Sequence, residues 1–127
     1  MAKTERRRKT TARLPKPVEM AIRAAEDKQA IEITVLDLRK ADGFTDHFLI
    51  CSGANTRQVR AIADGIIDAL AATGSKPAHL EGYDKSGWVL VDYFDFIVHV
   101  FTPDMRAFYG LERLWGNAEH VDVPPAP

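Results

Sequence analysis

The chain has 127 residues, a formal net charge of −1 and an apolar fraction of 46%, which together fit one globular domain with its own core. No apolar run approaches the roughly 20 residues of a membrane-spanning helix, and the first residues lack the apolar stretch of a secretory signal. The single cysteine, Cys51, cannot form an intrachain disulfide, which is typical of a reducing compartment. We therefore expect a cytoplasmic protein.

The basic residues concentrate at the N-terminus. Residues 1–16 carry seven Lys and Arg side chains against one Glu, a net charge of +6, and the rest of the chain carries −7. An Arg-rich, acid-poor start is also typical of a transit peptide, but we expect residues 1–14 to form a disordered basic tail. A basic tail on an acidic domain is common in proteins that work near nucleic acid, so contact with rRNA and a tail without a partner both stay open.

The first predicted elements are a helix and two strands. Pro15 and Pro17 can occupy a first helical turn, and the apolar spacing that follows predicts a helix to about residue 30. Strict alternation of apolar and polar residues predicts a strand at residues 31–38. An almost continuous apolar run predicts a second, largely buried strand at residues 46–52.

The second half begins with a long helix at residues 56–73, capped by Thr56, whose buried face carries Val59, Ile62, Ile66 and Leu70. A short strand near residues 79–81 and a hairpin at 88–101 follow. Thr102 and Pro103 open a last helix. Its predicted core-facing stripe consists of Ala107, Phe108, Leu111, Leu114 and Trp115.

The predicted order is αββαβββα, an α/β fold with a mixed five-stranded sheet flanked by helices. Residues 15–118 would form this domain. We expect residues 119–127, which are rich in proline, to be a flexible C-terminus.

One alternative function is a residual nucleotide-binding or nucleotidyltransferase-like enzyme. Such an enzyme needs a Gly-Ser turn and two carboxylates on one strand face to hold a metal and phosphates. The order is reversed at Ser52-Gly53, and Asp92 and Asp95 are separated by a tight turn. Asp37 is a further candidate carboxylate.

Other chemistry has weaker support. His47 and Cys51 share a strand face but lie roughly 13 Å apart along it, too far for a thiol–imidazole pair. The four histidines have no zinc-ligand spacing, and we expect His99 to be a sheet histidine, not a ligand. The loop at residues 52–55 could hold an anion at a helix N-terminus, although a simple capped turn also explains it. We expect no cofactor and no metal.

The first hairpin strand has two apolar faces. One face carries Trp88, Leu90 and Asp92. The other carries Val89, Val91 and Tyr93. Two apolar faces indicate a strand that is covered on both sides, by helices on one and, on the other, either by a partner molecule or by the domain's own core, which Trp88 would complete. Tyr109 lies on the flank of the last helix, and Tyr and Trp are typical of interface hot spots.

Five segments in order carry a family resemblance: LDLR at 36–39, TDHFLICSGANTRQVRAIAD at 45–64, EG at 81–82, WVLVDY-x-D-x-IVHVF at 88–101 and R-x-FYGLERLW at 106–115. In these segments the chain resembles the ribosomal silencing factor, or Iojap-like, family. The resemblance covers about residues 17–118. It implies a nucleotidyltransferase-like fold without the enzyme's chemistry. It also implies binding to ribosomal protein L-fourteen of the large subunit, a block on association with the small subunit, and a homodimer when free.

One position departs from the family pattern. The family usually has Gly where this chain has Phe94, and a turn residue with positive φ would be strained as Phe. Either the turn is of another type, or Phe94 is an exposed aromatic that adds to the docking surface. The expected partner contacts are Trp88, Asp92 and Tyr109, together with Tyr83, Lys85, Phe94 and Asp95.

Overall fold

The computed structural model describes residues 14–41, 43–84, 87–121 and 123. In this part of the chain, six strands form one mixed sheet in the order β3-β4-β5-β2-β1-β6. The elements are α1 (Lys16–Asp27), β1 (Ile31–Asp37), β2 (His47–Ser52), α2 (Thr56–Ala71), β3 (His79–Glu81), β4 (Trp88–Asp92), β5 (Phe96–Phe101), α3 (Pro103–Tyr109), α4 (Leu111–Leu114) and β6 (Glu119–Val121). Strands β2 and β5 run parallel, and the other neighbouring strands run antiparallel. The predicted class, a mixed α/β fold, is confirmed, but the described part of the chain has six strands in its sheet where five were predicted.

Helices α1 and α2 cover one face of the sheet. The predicted stripe of α2 is confirmed, because Val59, Ile62, Ile66 and Leu70 are all fully buried. The cap of α2 is Asn55, not Thr56: the Asn55 side chain accepts a hydrogen bond from the Gln58 amide at 2.9 Å. The Gln58 side chain in turn accepts one from the Ala54 amide at 2.7 Å. This reciprocal pair satisfies the Gln58 amide of the first turn and the Ala54 amide just before the cap.

Both predicted ends of the domain need correction. Leu14, assigned to the tail at 1–14, is buried in the cluster beneath α1 and α2, while residues 1–13 lie outside the described part of the chain. Glu119–Val121, assigned to the flexible segment at 119–127, pairs with β1, and Val121 lies opposite Val35. A three-residue strand is too short to show alternation, so its pairing depends on a tertiary contact that periodicity cannot reveal.

The last predicted helix is broken. Gly110 adopts φ 55° and ψ 48°, the left-handed conformation that ends α3, and α4 begins directly after it. Because of the break, the residues before and after Gly110 do not share one core-facing stripe: Ala107 and Phe108 before it are exposed, and only part of the segment after it packs on the sheet. Of the predicted stripe, Phe108 is 76% exposed and Leu114 72% exposed, whereas Leu111 and Trp115 pack on the sheet.

The second face of the sheet is only partly covered. Leu36, Phe48 and Phe101 form its buried centre, and residues of α3, α4 and the following turn pack on it. Toward β4 the cover ends, so β4 alternates between buried and half-buried residues along its length. No helix in the described part of the chain is long and apolar enough to span a membrane.

Candidate functional site

Trp88 is the centre of an aromatic surface on this partly covered face. It lies opposite Phe101 across the β4–β5 pair, and the two rings stack with centroids 5.0 Å apart. The Tyr109 ring, from the end of α3, lies 4.5 Å from the Trp88 ring. The two hairpin strands and α3 therefore bring together Trp88 and Tyr109, which the sequence predicted as partner contacts.

The alternation of β4 explains why Trp88 is on this face. Val89 and Val91 are fully buried against the helices, which places Trp88, Leu90 and Asp92 on the other side, half-buried. The two apolar faces expected from the sequence are thus present. The helices cover one of them.

A shallow groove of about 250 Å³ runs beside Trp88, lined by Glu81, Gly82, Trp88, Leu90, Met105 and Tyr109. Its floor is mostly apolar, and Glu81 adds an exposed carboxylate on the sheet edge. Sequence reasoning placed Leu90 on the face of Trp88 without listing it as a partner contact, and it missed Met105 and Glu81 as groove residues. Leu90 could have been predicted because it lies two residues after Trp88 on the same strand face. Met105 could not, because it lines the groove only through the packing of α3 on the sheet.

Aromatic contacts extend from the groove in both directions. Phe108 meets Tyr109 edge to face at 5.0 Å. On the other side, the His99 ring lies 5.9 Å from Trp88 and 4.5 Å from Phe48. These ring contacts restrain the half-buried Trp88 side chain, so less side-chain freedom is lost when a partner binds it.

His99 is buried, 4% exposed, in contact with Trp88. Its Nδ1 accepts a hydrogen bond from the Trp88 indole Nε1–H at 3.1 Å. Its Nε2 has no hydrogen-bond partner among the described residues. Burial lowers the pKa of His99 to about 4, so the ring is neutral at physiological pH. The expectation of a sheet histidine fits this position.

The predicted contacts in the hairpin turn lie apart from the groove. Asp92, at the end of β4, is four residues from Trp88, roughly 13 Å along the strand. Its carboxylate accepts a hydrogen bond from the Phe94 amide at 2.8 Å. Phe94 adopts φ 70° and is 74% exposed, so it combines the positive φ of the usual glycine with an exposed ring. Its carbonyl accepts a hydrogen bond from the Thr45 hydroxyl at 2.5 Å. Asp95 is exposed beside it.

The two remaining predicted contacts do not join the groove. The Tyr83 hydroxyl donates to the Asp64 carboxylate of α2 at 2.8 Å, on the side of the helices that cover the opposite face. Lys85 lies outside the described residues. The structure therefore assembles Trp88 and Tyr109 at one place, and Asp92, Phe94 and Asp95 at another.

The candidate carboxylates of an enzyme do not converge. Asp37 forms a bidentate ion pair with Arg39, in which Nε lies 3.0 Å from Oδ1 and Nη2 lies 2.7 Å from Oδ2. The hydrogen bonds of this pair lower the pKa of Asp37. Asp37 lies on β1, three strands from the strand of Asp92, and on the opposite face. Among the described residues, no three His, Cys, Asp or Glu side chains are grouped as metal ligands would be.

The other candidate reactive groups are engaged or buried. The Ser52 hydroxyl accepts a hydrogen bond from the Arg106 guanidinium at 3.0 Å. Burial raises the pKa of the Cys51 thiol to about 12, so this cysteine is a small core residue and not a nucleophile. Just before α2, the Ala54 amide already donates a hydrogen bond to the Gln58 side chain, so this N–H is not available to bind an anion.

Comparison with known proteins agrees with the sequence motifs. The family model of the ribosomal silencing factor during starvation (RsfS) matches residues 11–127. The ribosomal silencing factor RsfS of Bacillus subtilis is 42% identical over 106 residues, which cover 84% of this chain and 90% of that protein. A Mus musculus protein, mitochondrial assembly of ribosomal large subunit protein 1, is 28% identical over 101 residues, covering 77% of this chain and 44% of that protein.

A solved structure agrees as well. The crystal structure of a Chromobacterium violaceum protein has a TM-score of 0.76 with this chain and 33% identity, and the match covers 87% of this chain and 88% of that one. The family match and the Bacillus relative each cover more than two thirds of the chain. The chain belongs to the ribosomal silencing factor family, a family of ribosome-associated translation regulators and not of known enzymes.

Proposed function

We propose that this protein binds the large ribosomal subunit through ribosomal protein L-fourteen and blocks association with the small subunit. The observation that carries the proposal is the groove beside the half-buried Trp88 and the exposed Tyr109, an aromatic surface on the partly covered side of the sheet. Trp and Tyr side chains contribute a large part of the binding energy at many protein interfaces. Family membership and the large-subunit name of the mouse relative support the choice of partner.

The charge of the domain suits a ribosomal partner. Outside residues 1–16 the chain carries a net charge of −7, and Glu81 and Asp92 lie on the same sheet face as Trp88. Ribosomal proteins that contact rRNA are generally basic. Carboxylates at the rim would accept charge-assisted hydrogen bonds from Arg or Lys of the partner and speed the encounter.

Inhibition in this proposal needs no chemistry. A domain bound where the small subunit must dock excludes the small subunit sterically. Each bound protein would therefore block one large subunit. We further propose that the protein acts in the cytoplasm, that it is a homodimer when free, and that the basic tail adds a salt-dependent contact with rRNA.

Co-sedimentation with separated ribosomal subunits tests the proposal. We expect the protein to pellet with the large subunit and not with the small one. Tyr109→Ala should reduce recovery with the large subunit. Phe44→Ala is the matched control, because Phe44 is also an exposed aromatic but lies outside the groove. Recovery with the small subunit alone, or with neither subunit, would overturn the proposal.

A further inference from the structure

The hydrogen bond between Trp88 and His99 fixes the state of both rings. An indole N–H can only donate, so the His99 Nδ1 that lies 3.1 Å away must present its lone pair. The single proton of the neutral imidazole is therefore on Nε2. His99 lies opposite Leu90 and thus diagonally across from Trp88, within reach of an aromatic side chain.

Histidine is a costly residue at this position. The ring is 4% exposed, Phe48 meets it edge to face and Phe101 lies parallel to it. Its Nε2–H has no hydrogen-bond partner among the described residues, and a buried unpaired donor is unfavourable. Phenylalanine would fill the same space without that donor. Packing alone therefore does not explain a histidine, whereas the acceptor that it offers to Trp88 does.

We propose that His99 is a positioning residue for partner binding, which holds the Trp88 indole in its docking orientation by accepting the indole N–H; this inference rests on the proposed function of the groove. The indole is then turned with its nitrogen toward β5, and its N–H is already engaged inside the protein. The partner meets Trp88 through the ring, by apolar packing or by a cation over the ring face, and not by accepting a hydrogen bond from it.

Two substitutions of His99 separate the acceptor from the packing. His99→Phe keeps a ring of similar size and removes the acceptor. His99→Asn loses the ring but places an amide oxygen close to where Nδ1 was. We expect His99→Phe to weaken large-subunit binding by about tenfold, the loss of one buried hydrogen bond, and His99→Asn to bind more tightly than His99→Phe although it is the less stable protein.

A double-mutant cycle is a second, independent test of the hydrogen bond between Trp88 and His99. Trp88→Phe removes the donor, so adding His99→Phe to it should change large-subunit affinity by less than about twofold. In the wild-type background the same His99 substitution should cost about tenfold. Equal costs in both backgrounds would show that His99 acts only through packing and would overturn the inference.

Nuclear magnetic resonance tests the orientation without any partner. The sequence has two tryptophans, so a ¹⁵N-labelled sample gives two indole cross-peaks, assigned with Trp115→Phe. His99→Phe should shift the Trp88 indole peak upfield and speed its exchange with water, and His99→Asn should restore it in part. An unmoved Trp88 peak, or tight binding by His99→Phe, contradicts the inference. If the wild-type protein shows the hydrogen bond but does not bind large subunits, the proposed function fails instead.

Discussion

The Asp92 carboxylate accepts a hydrogen bond from the Phe94 amide at 2.8 Å and holds a phenylalanine at a φ of 70°. On the other side of the same residue, the Thr45 hydroxyl donates to the Phe94 carbonyl. The turn is thus fixed from both ends with an unfavourable conformation at its centre. A strained backbone conformation of this kind persists where the surrounding hydrogen bonds hold it. The Phe94 ring is left exposed to solvent.

Phe94→Gly should stabilise the protein by up to about 1 kcal/mol, because glycine adopts positive φ without a steric penalty. Urea unfolding measures the change. Phe94→Ala is the control, since it removes the exposed ring but keeps the strain, and it should not stabilise the fold. If Phe94 also contacts the partner, both variants will bind the large subunit more weakly. A loss of stability in Phe94→Gly would show that the turn is not strained.

Asp92→Asn separates the two roles of Asp92. The asparagine oxygen still accepts the hydrogen bond from Phe94, so the free energy of unfolding should change by less than about 1 kcal/mol. The negative charge is lost, so large-subunit binding should weaken by roughly 1–3 kcal/mol if the carboxylate is desolvated against a cation of the partner. Asp92→Ala should lose stability as well. Unchanged binding by Asp92→Asn would remove Asp92 from the contact surface.

Tyr109→Ala should weaken large-subunit binding by about 2 kcal/mol or more, in the range of interface hot spots. Its effect on stability should be small, because Tyr109 is 42% exposed. Trp88→Ala should weaken binding at least as much but also cost stability, since its ring stacks on the buried Phe101. Binding affinity and thermal unfolding of the same samples separate the two effects. A Tyr109→Ala protein that unfolds at room temperature would show that Tyr109 is a core residue.

Acid should destabilise the protein through His99. The folded-state pKa of His99 is lowered to about 4, whereas an unfolded histidine titrates near its usual 6.5, so the unfolded state binds more protons in between. The His99 contribution is complete above pH 6.5 and is lost as the pH falls toward 4, by roughly 3 kcal/mol at most. His99→Phe should reduce the slope of this part of the stability profile, and the slope that remains includes the contribution of His47, whose pKa burial also lowers. A wild-type profile that is already flat between pH 6.5 and 4 would contradict the burial of a neutral imidazole.

The alternation of residues was sufficient to predict β4, its two faces and the place of Trp88, because every second residue of a strand lies on the same face. The same reasoning failed at Gly110, where one residue in the left-handed conformation breaks a helical stripe that looked continuous. It failed again at β6, where pairing with β1 decides the structure. The turn role of Asp92 was hidden because it depends on the backbone geometry of Phe94, two residues away.

Occupancy of the large subunit as the mechanism is tested most directly by titrating the protein into a subunit-joining assay without added nucleotide. Large-subunit binding is measured on the same samples. Inhibition should saturate near one protein per large subunit, and it should fall in parallel with binding across Tyr109→Ala, Asp92→Asn and His99→Phe. Strong inhibition at a small fraction of one protein per ribosome would contradict occupancy as the mechanism, and so would a variant that binds normally yet does not inhibit.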